Sequence, residues 1–92
     1  MASQTFSLSG AGVTASSTVT LGAGERVVVR FSSIPIGRVN VKAVLNSTTS
    51  RHPVSADGFA SDAFVEGTVL SVELDGQGAS AAVCAGIIET GA

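Results

Sequence analysis

The chain has 92 residues, of which 45% are hydrophobic and 13% charged, and its formal net charge at pH 7 is −2. A disordered tail combines low hydrophobicity with high net charge, so this composition instead predicts one folded domain spanning residues 1–92. Five Lys and Arg residues are too few for the basic surface of a nucleic-acid-binding protein. No apolar run approaches the ~20 residues of a membrane-spanning helix. Neither nucleic acid nor membrane is therefore an expected partner.

Alternation of apolar and polar residues, which is typical of strands with one buried face, runs through most of the chain. It predicts six or seven short strands, at residues 4–9, 13–21, 25–32, 37–46, 68–75 and 79–88, with a further candidate at 63–66. Their inward positions predict a core of Val27, Val29, Phe31, Val39, Val41, Leu70, Val72, Leu74 and Val83. The predicted fold class is all-β, a small antiparallel β-sandwich or β-barrel.

The connections between the predicted strands differ in character. Asp75-Gly76 predicts a type I′ hairpin turn between the last two strands, because this dipeptide suits that turn. Residues 46–62 lack sustained alternation and are predicted to form a long loop, which in so small a domain indicates a binding role or a cover over the core. Residues 1–12 have a second interpretation, as a flexible arm.

The sequence predicts no catalytic or metal-binding site. His52 is the one side chain that ordinarily titrates near neutral pH, and a general-base role would need a nearby serine and an orienting carboxylate such as Asp57 or Asp62. No G-x-S-x-G motif is present, so we interpret His52 as a loop residue. Asp57, Asp62 and Glu66 lack the spacing of a calcium loop, and one His with one Cys cannot form a zinc cluster. We therefore predict a protein that is not an enzyme and has no metal or cofactor.

The segment 79–88 is apolar on both faces, which is typical of a strand that is covered on both sides. In a domain this small, a partner subunit is the preferred cover, and the alternative is a strand in the middle of the sandwich covered by the 46–62 loop. Cys84 has no cationic neighbours in sequence and is expected to be a packed, unreactive thiol. The candidate subunit interface comprises Ala79, Ala81, Ala82, Val83, Cys84, Ala85, Ile87 and Ile88. The candidate assembly-contact loop comprises Ser47, Thr48, Thr49, Ser50, Arg51, His52 and Phe59.

With its Ser/Thr/Ala/Gly/Val-rich strands, its near absence of catalytic residues and a start, Met1-Ala2-Ser3-Gln4, that lacks a signal peptide, the chain resembles small bacteriophage virion proteins. The resemblance is to capsid decoration (cement) and head-fibre proteins. It implies a structural subunit that is made in the host cytoplasm, forms a homo-oligomer, most often a trimer, and binds the outside of a phage capsid through the major capsid protein or another virion protein. The alternative is a small ligand- or carbohydrate-binding β module, such as a tail-fibre or receptor-binding domain. That alternative is disfavoured because the chain has no Trp or Tyr to form an aromatic platform.

Overall fold

Residues 2–91 are described by the structure, a computed structural model. Within this range two antiparallel sheets form, which confirms the predicted all-β sandwich. The strands are β1 (Ala2–Ser9), β2 (Val13–Ala15), β3 (Val19–Thr20), β4 (Arg26–Phe31), β5 (Arg38–Leu45), β6 (Thr48–Pro53), β7 (Phe59–Ser61), β8 (Val69–Asp75) and β9 (Val83–Gly91). One sheet, here called the β9 sheet, has the order β1-β9-β4-β7. The other, the β8 sheet, has the order β2-β8-β5-β6, and β3 also pairs with β8. Residues 2–91 include no helix long and apolar enough to cross a membrane.

The core lies between the two sheets and is built mostly from the predicted positions. Seven predicted core residues are buried: Val27, Val29, Val39, Val41, Leu70, Val72 and Leu74. Phe31 is half-buried and packs against this core. The prediction for Val83 is wrong, because the side chain lies on the outer face of β9 and is 39% exposed. Cys84 and Ile88, on the opposite face of the same strand, fill the core instead.

The prediction of a long loop at residues 46–62 is also wrong. β6 pairs with β5 over six positions, and β7 pairs with β4. The alternation is missing because β6 carries polar residues on both faces, as expected of an exposed edge strand. Asn46 and Ser47 have φ of 50° and 64°, which are the two left-handed positions of a type I′ hairpin turn.

Three further strand predictions need correction. Residues 2–12 are not a flexible arm, since β1 pairs with β9 at eight positions; Met1 lies outside the described residues. The candidate strand at 63–66 belongs to the connection between β7 and β8, where Phe64 packs against the core. The predicted strand 13–21 is divided into β2 and β3, because the Ser16 hydroxyl takes the place of a backbone carbonyl and accepts the N–H of Val72 at 2.9 Å.

Asp75-Gly76 does not form the predicted hairpin turn. β8 and β9 belong to different sheets, so residues 76–82 cross from one layer to the other. The left-handed backbone conformations fall one or two residues later, at Gln77 and Gly78. Gly76 packs so closely against the backbone of Gly10 and Ala11 that a Cβ would overlap the Gly10 carbonyl oxygen. The glycine is therefore needed for contact between two corners of the sandwich.

Gly86 lies at the centre of the β9 sheet, opposite Phe6 of β1 and Phe31 of β4. The two phenyl rings meet edge to face across it, with centroids 6.0 Å apart. A Cβ at this position would overlap the carbonyl oxygen of Arg30 on the neighbouring strand. The close approach of β9 to β4 thus requires glycine, and the two aromatic rings cover the position that has no side chain.

The packing of β8 can be tested by truncating its inward leucines. Leu70→Ala and Leu74→Ala, made separately, are each expected to lower the free energy of unfolding by about 2–5 kcal/mol, because both leucines are fully buried. Urea denaturation followed by circular dichroism measures the change. Val13→Ala is the control, since Val13 is 62% exposed and should change stability little. Unchanged denaturation midpoints in both leucine variants would contradict the assigned inward face.

The requirement for glycine at position 86 gives a second prediction. Gly86→Ala is expected to lower the free energy of unfolding by about 1–3 kcal/mol or more, because the overlap is with backbone that must move. Gly12→Ala is the matched control, since a Cβ there meets nothing within 4 Å and Gly12 does not have a positive φ. Equal thermal stability of the two variants would show that β9 and β4 are not so closely spaced.

Candidate functional site: an exposed edge strand and an apolar outer face

The backbone of β6 is the first candidate surface, because β6 forms one edge of the β8 sheet. The N–H of Val54 donates to the carbonyl of Val39 at 2.9 Å, in register with the β5–β6 pairing. Residues alternate along an antiparallel ladder between those bonded to the neighbouring strand and those pointing away from it. Thr49 and Arg51 therefore direct both their N–H and C=O groups away from β5, whereas Pro53 can direct only a carbonyl. This edge is ready to pair with another strand.

Arg51 and Glu73 dominate the outer side of this edge. The Nε–H of Arg51 donates to Oε1 of Glu73 at 2.8 Å. This hydrogen bond and the negative charge of Glu73 raise the pKa of Arg51 above its ordinary value. Glu73 is only 7% exposed although it lies on an outer face, whereas the Arg51 side chain is 52% exposed. The ion pair thus reaches across β5 and holds the guanidinium over the outer face of the β8 sheet rather than beside the open edge. The N–H groups on the two terminal nitrogens of Arg51 are not used in this ion pair.

Ser50 and His52 lie together on the inner side of β6. Ser50 Oγ and His52 Nε2 are 2.9 Å apart, within hydrogen-bonding distance. The imidazole and the Phe64 ring are nearly perpendicular, with centroids 5.0 Å apart, and the imidazole is tilted against Phe59 at 6.4 Å. The structure therefore brings together three members of the predicted contact segment, Ser50, His52 and Phe59. Within residues 2–91, neither Asp57 nor Asp62 hydrogen-bonds to His52, so neither acts as the orienting carboxylate of a triad here.

A groove of about 420 Å³ opens beside Ser50. One wall is the inner side of the β5–β6 hairpin, and the other is the connection between β7 and β8. Its main lining residues are Ala43, Leu45, Thr48, Ser50, Phe64 and Val65. Val65 is 57% exposed, so an apolar side chain remains open to solvent at this groove. Phe64 and Val65 were not among the predicted site residues, because only their position across from β6 reveals their role.

The predicted subunit interface is divided between the two faces of β9. Ala82, Cys84 and Ile88 face the core and have at most 1% of their surface exposed, so their assignment to an interface is wrong. Ala79 and Ala81 are exposed in the connection that precedes β9. Val83, Ala85 and Ile87 alternate with the buried residues and lie on the outer face. Ile36, which is 54% exposed, forms a β-bridge with Val83. We call Ile36, Val83, Ala85 and Ile87 the outer patch.

Charge near the outer patch is largely neutralised. Arg30 Nη1 and Glu89 Oε1 form an ion pair at 3.1 Å, on the strands that carry Ile87 and its neighbours. On the other side of β9, Ser9, Ser7 and Thr5 lie opposite Val83, Ala85 and Ile87. The outer patch is thus an apolar row beside a row of small hydroxyl side chains, with no unpaired charge among these residues. Such a surface is suited to a subunit interface rather than to charge-steered binding.

Neither a metal centre among residues 2–91 nor a similarity to known proteins indicates the function. Among residues 2–91, no group of three or more His, Cys, Asp or Glu side chains is placed to hold a metal ion. The sequence and the fold match no family model, no curated protein and no solved structure. A functional assignment therefore depends on the edge strand β6, its groove and the outer patch.

Cys84 provides a test of how closely the core is packed. The thiol is fully buried, and burial raises its pKa, which lowers the fraction of reactive thiolate at neutral pH. Native protein is expected to react with 5,5′-dithiobis(2-nitrobenzoic acid) only as fast as it unfolds, and rapidly in urea. Cys84 is the one cysteine of the chain, so the absorbance change reports this site alone. Complete labelling before any loss of circular dichroism would contradict the assignment of Cys84 to the core.

Proposed function

We propose that this chain is a non-enzymatic structural subunit of a viral particle, which forms a homo-oligomer and binds the outside of a phage capsid. The observation that carries the proposal is the outer patch on β9. An antiparallel sheet that faces water normally has polar residues on its outer face, yet Val83, Ala85 and Ile87 occupy three successive outward positions on a central strand. A second copy of the chain would remove these side chains from water.

The size of the domain supports association. A chain of 92 residues buries a smaller fraction of its surface than a larger domain does, so its own core gives limited stability. Binding between folded copies stabilises each of them by mass action. A trimer is the state implied by the resemblance to capsid decoration proteins. Made in the host cytoplasm, the assembled protein would then become part of the virion.

Attachment to the capsid shell would use β6. The segment first identified as a contact loop is the edge strand β6, held rigidly by its pairing with β5. It lies at the end of the β8 sheet, whereas the outer patch belongs to the β9 sheet. Subunits that associate through the outer patch therefore keep β6 free for the major capsid protein or another virion protein.

A ligand- or carbohydrate-binding module is the second candidate function. The groove beside Ser50 is of a size that suits a small ligand. Phe64 is the one aromatic residue in its lining, and a single phenyl ring gives little flat surface on which a sugar ring could stack. The groove therefore favours an apolar side chain over a carbohydrate.

Oligomerisation can be tested by charging the outer patch. The unmodified protein is expected to sediment as a multiple of 9.1 kDa, whereas Ile87→Arg should sediment as a folded monomer, because an unpaired charge within an apolar interface is costly. Thr20→Arg, at an exposed position of the other sheet, is the matched control and should keep the native mass. Ala82→Arg should instead unfold the domain, since Ala82 is buried. A monomeric native protein at all concentrations would contradict this part of the proposal.

Attachment is tested separately, by co-sedimentation with empty phage capsid shells. Binding of the protein to the shells is expected to saturate with increasing protein concentration. Substitutions within residues 47–50 that alter β6 should abolish this binding and leave the native mass of the protein unchanged. A protein that never sediments with any shell would leave its role as a decoration subunit without support.

A further inference from the structure

We propose that β6 binds an extended peptide segment that adds to the β8 sheet as a new edge strand and has alternating side-chain chemistry. Its apolar side chains point toward the groove, and an acidic side chain lies opposite Arg51. This inference deepens the attachment role proposed above by naming the chemistry of the partner, and it does not depend on the oligomeric state.

The backbone of β6 supplies the affinity. Thr49 and Arg51 each direct one donor and one acceptor outward, so an antiparallel segment can form four backbone hydrogen bonds with these two residues. Pro53, which has no N–H, ends this pairing on one side, and the Asn46-Ser47 turn ends it on the other. The opposite side of the sandwich is different, because β1, the edge strand there, contacts β2 and β3 of the β8 sheet. β7, the other edge strand of the β9 sheet, has only three residues. β6 is thus the longer open edge, with free backbone groups and an adjacent groove.

The inner side of β6 determines which side chains of the bound peptide segment are apolar. Thr48 and Ser50 line the groove, together with Leu45, Phe64 and Val65. Partner residues opposite Thr48 and Ser50 must point to the same side of the sheet as these two side chains, because paired residues share a face. Apolar side chains at these two partner positions would cover Val65 and exclude water from the groove.

The outer side of β6 determines the charge of the bound peptide segment. Arg51 gives its Nε–H to Glu73 on β8, so its positive charge lies over the outer face of the sheet. Lys42 lies directly opposite Arg51 on β5, so a second cation faces the same side. Glu73 balances only one of these two charges, so the outer face beside β6 keeps a net positive charge that attracts an acidic partner residue opposite Arg51. A basic residue at that partner position would be repelled.

The probe for this proposal is the synthetic peptide acetyl-Ser-Val-Asp-Val-Ser-Val-Ser-amide, in which valines lie opposite Thr48, Ser50 and His52 when the aspartate is opposite Arg51. Binding is followed by nuclear magnetic resonance of the ¹⁵N-labelled protein. The amide chemical shifts of β6 residues are expected to change until binding saturates. Hydrogen exchange of the Thr49 and Arg51 amides should become slower. The Ser50 amide already bonds to β5, so its exchange should change less. Control peptides are a lysine analogue of the aspartate peptide and an isomer with three adjacent valines.

Two variants of the protein locate the contact. Thr49→Pro removes an outward N–H that β5 does not use, and it is expected to weaken peptide binding about tenfold or more while the domain stays folded. Thr49→Ala is the matched control, because it keeps the N–H, and it should bind like the unmodified protein. Arg51→Gln should reduce the preference for the aspartate peptide over its lysine analogue.

Several results would overturn the proposal. Equal binding of all three peptides, or unchanged binding by Thr49→Pro, would show that the edge does not select this segment. Concentration-dependent broadening of the β6 amides without peptide, abolished by Thr49→Pro, would identify a second copy of the chain as the occupant instead. Native mass is recorded on the same samples, so failure of peptide binding is distinguishable from failure of oligomerisation through the outer patch.

Discussion

The packing of β8 against β9 is the contact on which the rest of the fold depends. Both are central strands, and their inward residues Leu70, Val72, Leu74, Cys84 and Ile88 have no exposed surface. The outer faces of the two strands differ. On β8, Ser71 and Glu73 point outward but are almost buried among neighbouring side chains, with Arg51 paired to Glu73. On β9 the outward residues Val83, Ala85 and Ile87 are apolar and partly open, and Glu89 beyond them is paired with Arg30. The same central packing thus leaves one sheet with a polar, satisfied exterior and the other with a surface that a partner can cover.

The connections explain why β6 is left uncovered. Among the described strands, β5 and β6 form the one hairpin of consecutive neighbours, while most other connections cross between the sheets. Where the chain crosses between the sheets, its turns pack over the ends of the sandwich. The close contact between Gly76 and Gly10 is an example. After β6 the chain leaves for the other sheet and forms β7 there, beside β4. No described strand then returns to pair with β6.

The sequence was a good guide wherever one face of a strand was buried and the other polar. β4, β5 and β8 were predicted with the correct inward residues for this reason. β6 was missed because its core-side residues, Thr48, Ser50 and His52, are polar, and because Asn46-Ser47 lacks the glycine that usually marks a type I′ turn. Asp75-Gly76 correctly indicated a corner, but a local dipeptide does not specify which sheet the next strand joins. The sequence could therefore name a candidate contact segment by its residues, whereas the strand conformation of this segment and the opposing Phe64 and Val65 depended on long-range pairing.

Hydrogen bonding and side-chain chemistry on β6 together argue for a partner rather than for an inert edge. Natural edge strands are commonly protected by lysines, prolines or bulges that discourage pairing. β6 has one proline at its last position and one cation, and Glu73 already holds that cation to one side. The four free backbone groups of Thr49 and Arg51 are thus accessible, next to a groove with an exposed Val65. Because unpaired edges invite aggregation, an edge left this open favours the peptide pairing that we propose for β6.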